Sequence, residues 1–172
     1  MRRLARGFTL LEVIITVLVM SVLGTVGFHV IFNGVEAYYA TDSALSTLAK
    51  LRYATGRIVD ELREVDYTDP SGPYVLTATY PSTANGSITF TKIDTTVVTI
   101  DGSTSSVTIQ YDAGSAYTLT DGVSDLTFNF FQYDGTNATS ASDVAFVEVN
   151  LTLLEGTSSY AQRVRVGLRD NI

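Results

Sequence analysis

One carboxylate stands where its neighbours should exclude it. Glu12 lies inside the run GFTLLEVIITVLVMSVLG that starts at Gly7. On insertion scales a carboxylate at mid-bilayer costs roughly 2.5–3.5 kcal/mol, less near the interface, and it usually marks a partner. From its place near one end of the run, Glu12 could reach the headgroups or meet a partner. Few other residues have chemical capacity. His29 is the only histidine and there is no cysteine. Ser–His and Cys–His arrangements therefore lack a base in the soluble part of the chain, and zinc-type sites lack ligands. No GxxxxGK[ST] loop is present to cradle a phosphate. Asp66, Asp69, and Asp134 with Asn137 and Asp143, offer oxygen ligands to calcium. Against this, Asp and Asn fill turns by bonding their own backbone, and the spacing fits no calcium loop. No catalytic constellation is visible, and the expectation is a chain that is not an enzyme and carries no cofactor.

The elements that would position Glu12 follow from the apolar pattern. The run from Phe8 to Phe32 exceeds the roughly 20 residues that cross a bilayer. A secretory signal has a shorter apolar core followed by a small-residue cleavage site, and neither feature is found. Arg2, Arg3 and Arg6 precede the run and place the N-terminus in the cytoplasm by the positive-inside rule. The chain carries a net charge of −7 with no basic patch beyond those arginines. That argues against nucleic acid as a partner, since binding it needs cations to replace phosphate counterions.

Helical spacing continues past the membrane. Leu45, Leu48, Leu51, Ile58, Leu62 and Val65 recur as one helix face. Lys50, Arg57, Asp60, Glu61 and Glu64 fall on the opposite face, with Arg57 and Glu61 at i,i+4. The spacing predicts one helix from about Thr9 to about Val65, with Gly24, Gly27 and Asn33-Gly34 as weak points. Beyond it, strands are expected at 74–80, 87–93, 96–100, 106–111, 116–120, 126–133, 144–154 and 160–168. Turns are expected at Asn85-Gly86, Asp101-Gly102, Asp121-Gly122, Asp134-Gly135 and Glu155-Gly156. The fold class is α+β: one long N-terminal helix, its first half transmembrane, on an antiparallel β-sheet domain.

The segment Gly7-Phe8-Thr9-Leu10-Leu11-Glu12-Val13 resembles the prepilin motif of type IV pilins and type II secretion pseudopilins. The resemblance implies a pilin-like fold in four parts: a leader at 1–7, a transmembrane half-helix at 8–32, an amphipathic half at 33–66 and a periplasmic β-rich domain at 67–172. It implies cleavage by a prepilin peptidase between Gly7 and Phe8, then N-methylation of Phe8. It also implies that Glu12, fifth in the mature chain, meets the N-terminal amine of a neighbouring subunit. Thr9 and Thr16 are expected to bond their own backbone. Many family members carry a proline where this chain has His29, and its absence is more typical of minor subunits. The order DGVSDLTFNFF, VEVNLTLLEG and YAQRVRVGLRDN resembles the J group of minor pseudopilins, as does IVDELREV at the end of the helix.

The expectation is therefore a minor pseudopilin, held in the bacterial inner membrane by a single pass with its C-terminal domain in the periplasm. Its partners would be I- and K-like minor pseudopilins, the major pseudopilin, the prepilin peptidase and an inner-membrane assembly platform. The alternatives are a minor type IV pilus subunit and, from another class, a bitopic membrane enzyme or sensor.

Overall fold

The computed structural model describes residues 9–66, 74–84, 86–102 and 105–168. Gly7, Phe8 and Asp69 lie outside them. The chain divides into two units, Met1–Ser43 and Ala44–Ile172. One helix, α1, runs from Leu10 to Leu62, beginning in the first unit and ending in the second.

In the first unit every described residue from 9 to 42 is exposed, including the whole apolar row from Leu10 to Val35. A water-soluble helix would bury one such face, whereas a helix apolar all round suits lipid or other helices. This is the one described helix apolar and long enough to cross a membrane. The helix runs without interruption through Gly24, Gly27 and Gly34.

In the second unit α1 becomes amphipathic. Thr47, Leu51, Ala54, Thr55, Ile58, Val59, Glu61 and Leu62 are buried, the threes and fours that one helix face requires. Leu51, Ile58 and Leu62 meet the expectation, while Leu45 is 62% exposed and Leu48 only partly buried. Glu61 departs from it further, being buried at 2% exposure. Sorting residues by charge put Glu61 on the solvent face. Its position three residues after Ile58 puts it on the core ridge. The helix also ends at Leu62, and Val65 instead forms a bridge to Lys92.

Among the described residues nine strands follow: β1 (Leu76–Thr77), β2 (Ser82–Ala84), β3 (Ser87–Thr91), β4 (Val97–Asp101), β5 (Ser106–Tyr111), β6 (Tyr117–Asp121), β7 (Val123–Phe131), β8 (Phe146–Glu155) and β9 (Ser158–Gly167). They form two antiparallel sheets, in the order β1-β3-β4-β5-β6 and β2-β7-β8-β9. Strict alternation gives each sheet an inner face: Ile88 and Phe90, Val98 and Ile100, Val107 and Ile109 in the first, and Leu126, Phe128, Phe130, Val147, Val149, Leu151 and Leu153 in the second. These join the buried face of α1 in a single core, with two layers covering what neither could bury alone.

Two features of the sheets were not expected from the sequence. β2 is a three-residue strand that follows the cis Tyr80-Pro81 bond and pairs with β7, so the chain visits the second sheet between β1 and β3. The expected Asp121-Gly122 hairpin is instead a corner. Asp121 pairs with Ser106 in the first sheet, Val123 pairs with Leu153 in the second, and Gly122 joins them at φ +67°. A Cβ there would also stand 3.1 Å from the Leu154 carbonyl oxygen, so both torsion and space call for glycine. The Glu155-Gly156 turn is an ordinary two-residue hairpin, with Gly156 at φ +60° joining Glu155 to Ser158.

Candidate functional site

Thr9 stands just before the first helical residue, and its hydroxyl oxygen accepts a hydrogen bond from the Glu12 amide at 3.3 Å. Its carbonyl accepts from the amides of Glu12 and Val13 at 3.1 and 3.3 Å. The first turn of a helix leaves amides without intrahelical partners, and Thr9 satisfies them as an N-cap. Thr9-Leu10-Leu11-Glu12 has the S/T-x-x-E spacing of a capping box, a signal present in the sequence and overlooked because the membrane context suggested a simpler role for Thr9. Glu12 thus lies in the first turn, where the helix dipole favours an anion.

The other hydroxyls of this segment bond backward along the helix. Thr16 Oγ1 donates to the carbonyls of Glu12 and Val13 at 3.0 and 2.9 Å. Ser21 donates to Leu18 at 2.8 Å and Thr25 to Ser21 at 2.6 Å. Such bonds satisfy polar groups where lipid offers none. Among the described residues, no cation pairs with the Glu12 carboxylate. A segment suited to lipid therefore carries an acid in its first turn that has no cation partner among the described residues.

A second carboxylate, Glu61, has its partners within the fold. Tyr111 donates its hydroxyl to Glu61 Oε1 at 2.7 Å, and Arg57 Nη2 donates to Tyr111 Oη at 2.7 Å. Arg57 also pairs directly with Glu61. Lys92 Nζ stands 3.2 Å from Glu61 Oε2 and also pairs with Glu64. Oε2 is buried without a well-directed hydrogen bond, so Lys92 serves it by charge. Two acids and two bases balance, joining the last turns of α1 to the ends of β3 and β5. Burying such a carboxylate is tolerable only because cations and donors surround it.

This cluster sets a pH dependence. Burial, then the Glu61 hydrogen bond, raises the Tyr111 hydroxyl above its ordinary value. The Lys92 ammonium is raised chiefly by its bond to Glu64, then by Glu61. Raised values mean that the fold favours the protonated forms. That stability is full below the unfolded values of roughly 10 and is lost as pH climbs through the folded ones. In thermal melts of the detergent-solubilised chain, Tm should hold from neutral pH to about 10 and fall beyond it. Tyr111→Phe should make that alkaline fall shallower.

Of the calcium candidates, Asp134 and Asp143 each bond residues of their own turn. Asp134 Oδ1 accepts from the Thr136 amide and hydroxyl at 2.9 and 2.7 Å. Asp143 accepts from the hydroxyls of Thr139 and Ser142 at 2.9 and 3.2 Å. These bonds hold both carboxyls below the ordinary range. Asn137 forms a bridge to Phe131, and its carbonyl accepts from Gln132 Nε2 at 3.2 Å. Each residue shapes its own turn. Among the described residues no three His, Cys, Asp or Glu side chains gather as metal ligands.

Residues 2–28 match the family model described as the prokaryotic N-terminal methylation motif. That stretch takes in the basic start, Gly7, Phe8, the Thr9 cap, Glu12 and the first turns of α1. No curated protein matches the chain at a significant level. The chain thus joins a prepilin-type N-terminal motif to a pilin-like arrangement of one long helix and antiparallel sheets.

Proposed function

We propose that this type IV pilin-like chain is a minor pseudopilin of a type II secretion system, helping to nucleate or cap a short periplasmic filament. The observation that carries this reading is the methylation motif at residues 2–28, lying over a helix whose only early acid lacks a counter-charge among the described residues. The resemblance of DGVSDLTFNFF, VEVNLTLLEG and the final basic strand to the J group favours the secretion system over a pilus.

On this reading the chain is a structural subunit and its mechanism is assembly. A prepilin peptidase cuts between Gly7 and Phe8 on the cytoplasmic side, and the new Phe8 amine is methylated. The segment 8–32 stores the subunit in the inner membrane, with residues 67–172 in the periplasm. Glu12 then meets the N-terminal amine of a neighbouring subunit. Each charge is costly alone in lipid and tolerable once paired, so the pair sets the register in which a subunit joins. The all-round apolar helix gives the surface along which neighbouring helices pack as the subunit leaves the bilayer. I- and K-like minor pseudopilins, the major pseudopilin and the inner-membrane platform are the proposed partners.

Processing gives a first prediction. Gly7→Trp should leave residues 1–7 attached, whereas Gly7→Ala should still be cut. Intact-mass measurement of membrane-extracted protein distinguishes the two. Deletion of the gene tests the secretion role: exoproteins should accumulate in the periplasm while surface piliation and twitching stay normal. Lost piliation with normal secretion would assign the chain to a type IV pilus instead.

A further inference from the structure

β9 is the terminal strand of the second sheet, paired with β8 through ten residue pairs from Glu155↔Ser158 to Phe146↔Gly167. No strand among the described residues pairs with its other edge. Antiparallel alternation turns every second residue's N–H and C=O toward that edge, leaving a long row of donors and acceptors open. Native proteins usually blunt such an edge with Pro, Lys, a bulge or a covering loop. β9 has neither Pro nor Lys, and its register with β8 has no bulge.

Its two arginines do not screen the edge. Arg165 Nη2 donates to Glu148 Oε2 at 3.2 Å, and its guanidinium lies 4.2 Å above the ring of Phe131 on β7. Arg163 Nε donates to Asn150 Oδ1 at 3.0 Å and stands 3.7 Å from Glu148 Oε1. Both lean back across the sheet, and one carboxylate serves two guanidiniums. A chain of net charge −7 thus keeps a local positive excess beside an open strand edge. On the other face of β9, Tyr160 and Val164 are only partly buried against the core.

We propose that the β9 edge is a docking site for an extended segment of another protein, added as a further strand. Acidic residues at alternate positions of that segment would lie beside Arg163 and Arg165 and compete with Asn150 and the shared Glu148 for their guanidiniums, and apolar residues between them would cover Tyr160 and Val164. Main-chain bonds supply affinity in this mode and the side chains supply register. A second copy of this chain is a poor occupant. Its other sheet edges, β1, β2 and β6, offer one acid among them, Asp121, already bonded to Lys50 at 2.7 Å. The proposal stands apart from the filament reading and does not depend on it.

The test uses the full chain in detergent and two synthetic peptides of β9's length, one alternating Glu and Val, the other Lys and Val. Fluorescence anisotropy gives affinity and amide hydrogen exchange locates the bound strand. The Glu–Val peptide should bind, slow exchange within residues 158–167, and lose roughly tenfold in affinity when Arg163→Ser and Arg165→Ser are combined, at about threefold for each cross-strand charge pair. Equal binding of the Lys–Val peptide, absence of protection in β9, or unchanged affinity in the double variant would each overturn the proposal. So would a double variant that self-associates while binding the peptide as before, because the arginines would then only guard the edge.

Discussion

Glu12→Val should be cleaved and inserted like the wild-type chain and yet fail to enter filaments. Cleavage depends on the residues around Gly7, and insertion on apolar length, which valine improves. On the proposed function, assembly depends on the charge. If the carboxylate meets an amine in lipid, removing it leaves that amine desolvated and unpaired, a cost of up to roughly 2.5–3.5 kcal/mol toward mid-membrane. A loss of incorporation of tenfold or more follows. Because Glu12 also lies in the turn capped by Thr9, Glu12→Gln is the necessary companion: it keeps the shape and a hydrogen-bonding group and removes only the charge. Both variants should be lost from sheared or cross-linked filaments while staying normal in the membrane fraction. Full incorporation of Glu12→Gln would show that the ion pair is not what the residue supplies.

The second large effect concerns the folded domain. Glu61→Met should destabilise it by about 3 kcal/mol, the lower end of what removing one partner of a buried pair costs. The lower end applies because Arg57 is partly exposed and can turn its guanidinium to water, while Lys92 retains Glu64. Glu61→Met combined with Lys92→Met should recover most of that loss. Apolar side chains of similar volume often replace a buried ion pair without net cost, and the released Glu64 is already half exposed. Chemical denaturation of the detergent-solubilised chain, run as a double-mutant cycle, measures both. Additive losses in the double variant would mean that Glu61 and Lys92 act independently.

The contrast between these two acids shows what could be read from residues alone. Glu12 announced itself because lipid-length apolarity makes one charge conspicuous. Glu61 did not, because an acid three residues before Glu64 and four after Arg57 looks like a solvated face. Only its threefold spacing from Ile58 points to the core, and charge was given more weight than spacing. Most strands were legible from alternation, and β3 to β9 fall close to their expected places. β2 was missed because three residues between Pro81 and Asn85 carry no period. The corner at Gly122 was missed because an Asp-Gly pair also signals a hairpin, and a local signal does not say which sheet the next strand joins. Thr9 was expected to bond its own backbone and does so, but as an N-cap that its S/T-x-x-E spacing carries and the apolar context hides. Asp134 follows the backbone-bonding habit of aspartate in turns, accepting from the Thr136 amide, whereas Asp143 accepts from the Thr139 and Ser142 hydroxyls, which no local sequence pattern announces.

The central claim is that the chain is a prepilin-type subunit processed ahead of its apolar helix. Mass spectrometry of the protein extracted from its native membrane tests it most directly. The N-terminal peptide should begin at Phe8 and carry one added methyl group on its amine. A peptide beginning at Met1, with residues 1–7 intact, would contradict it.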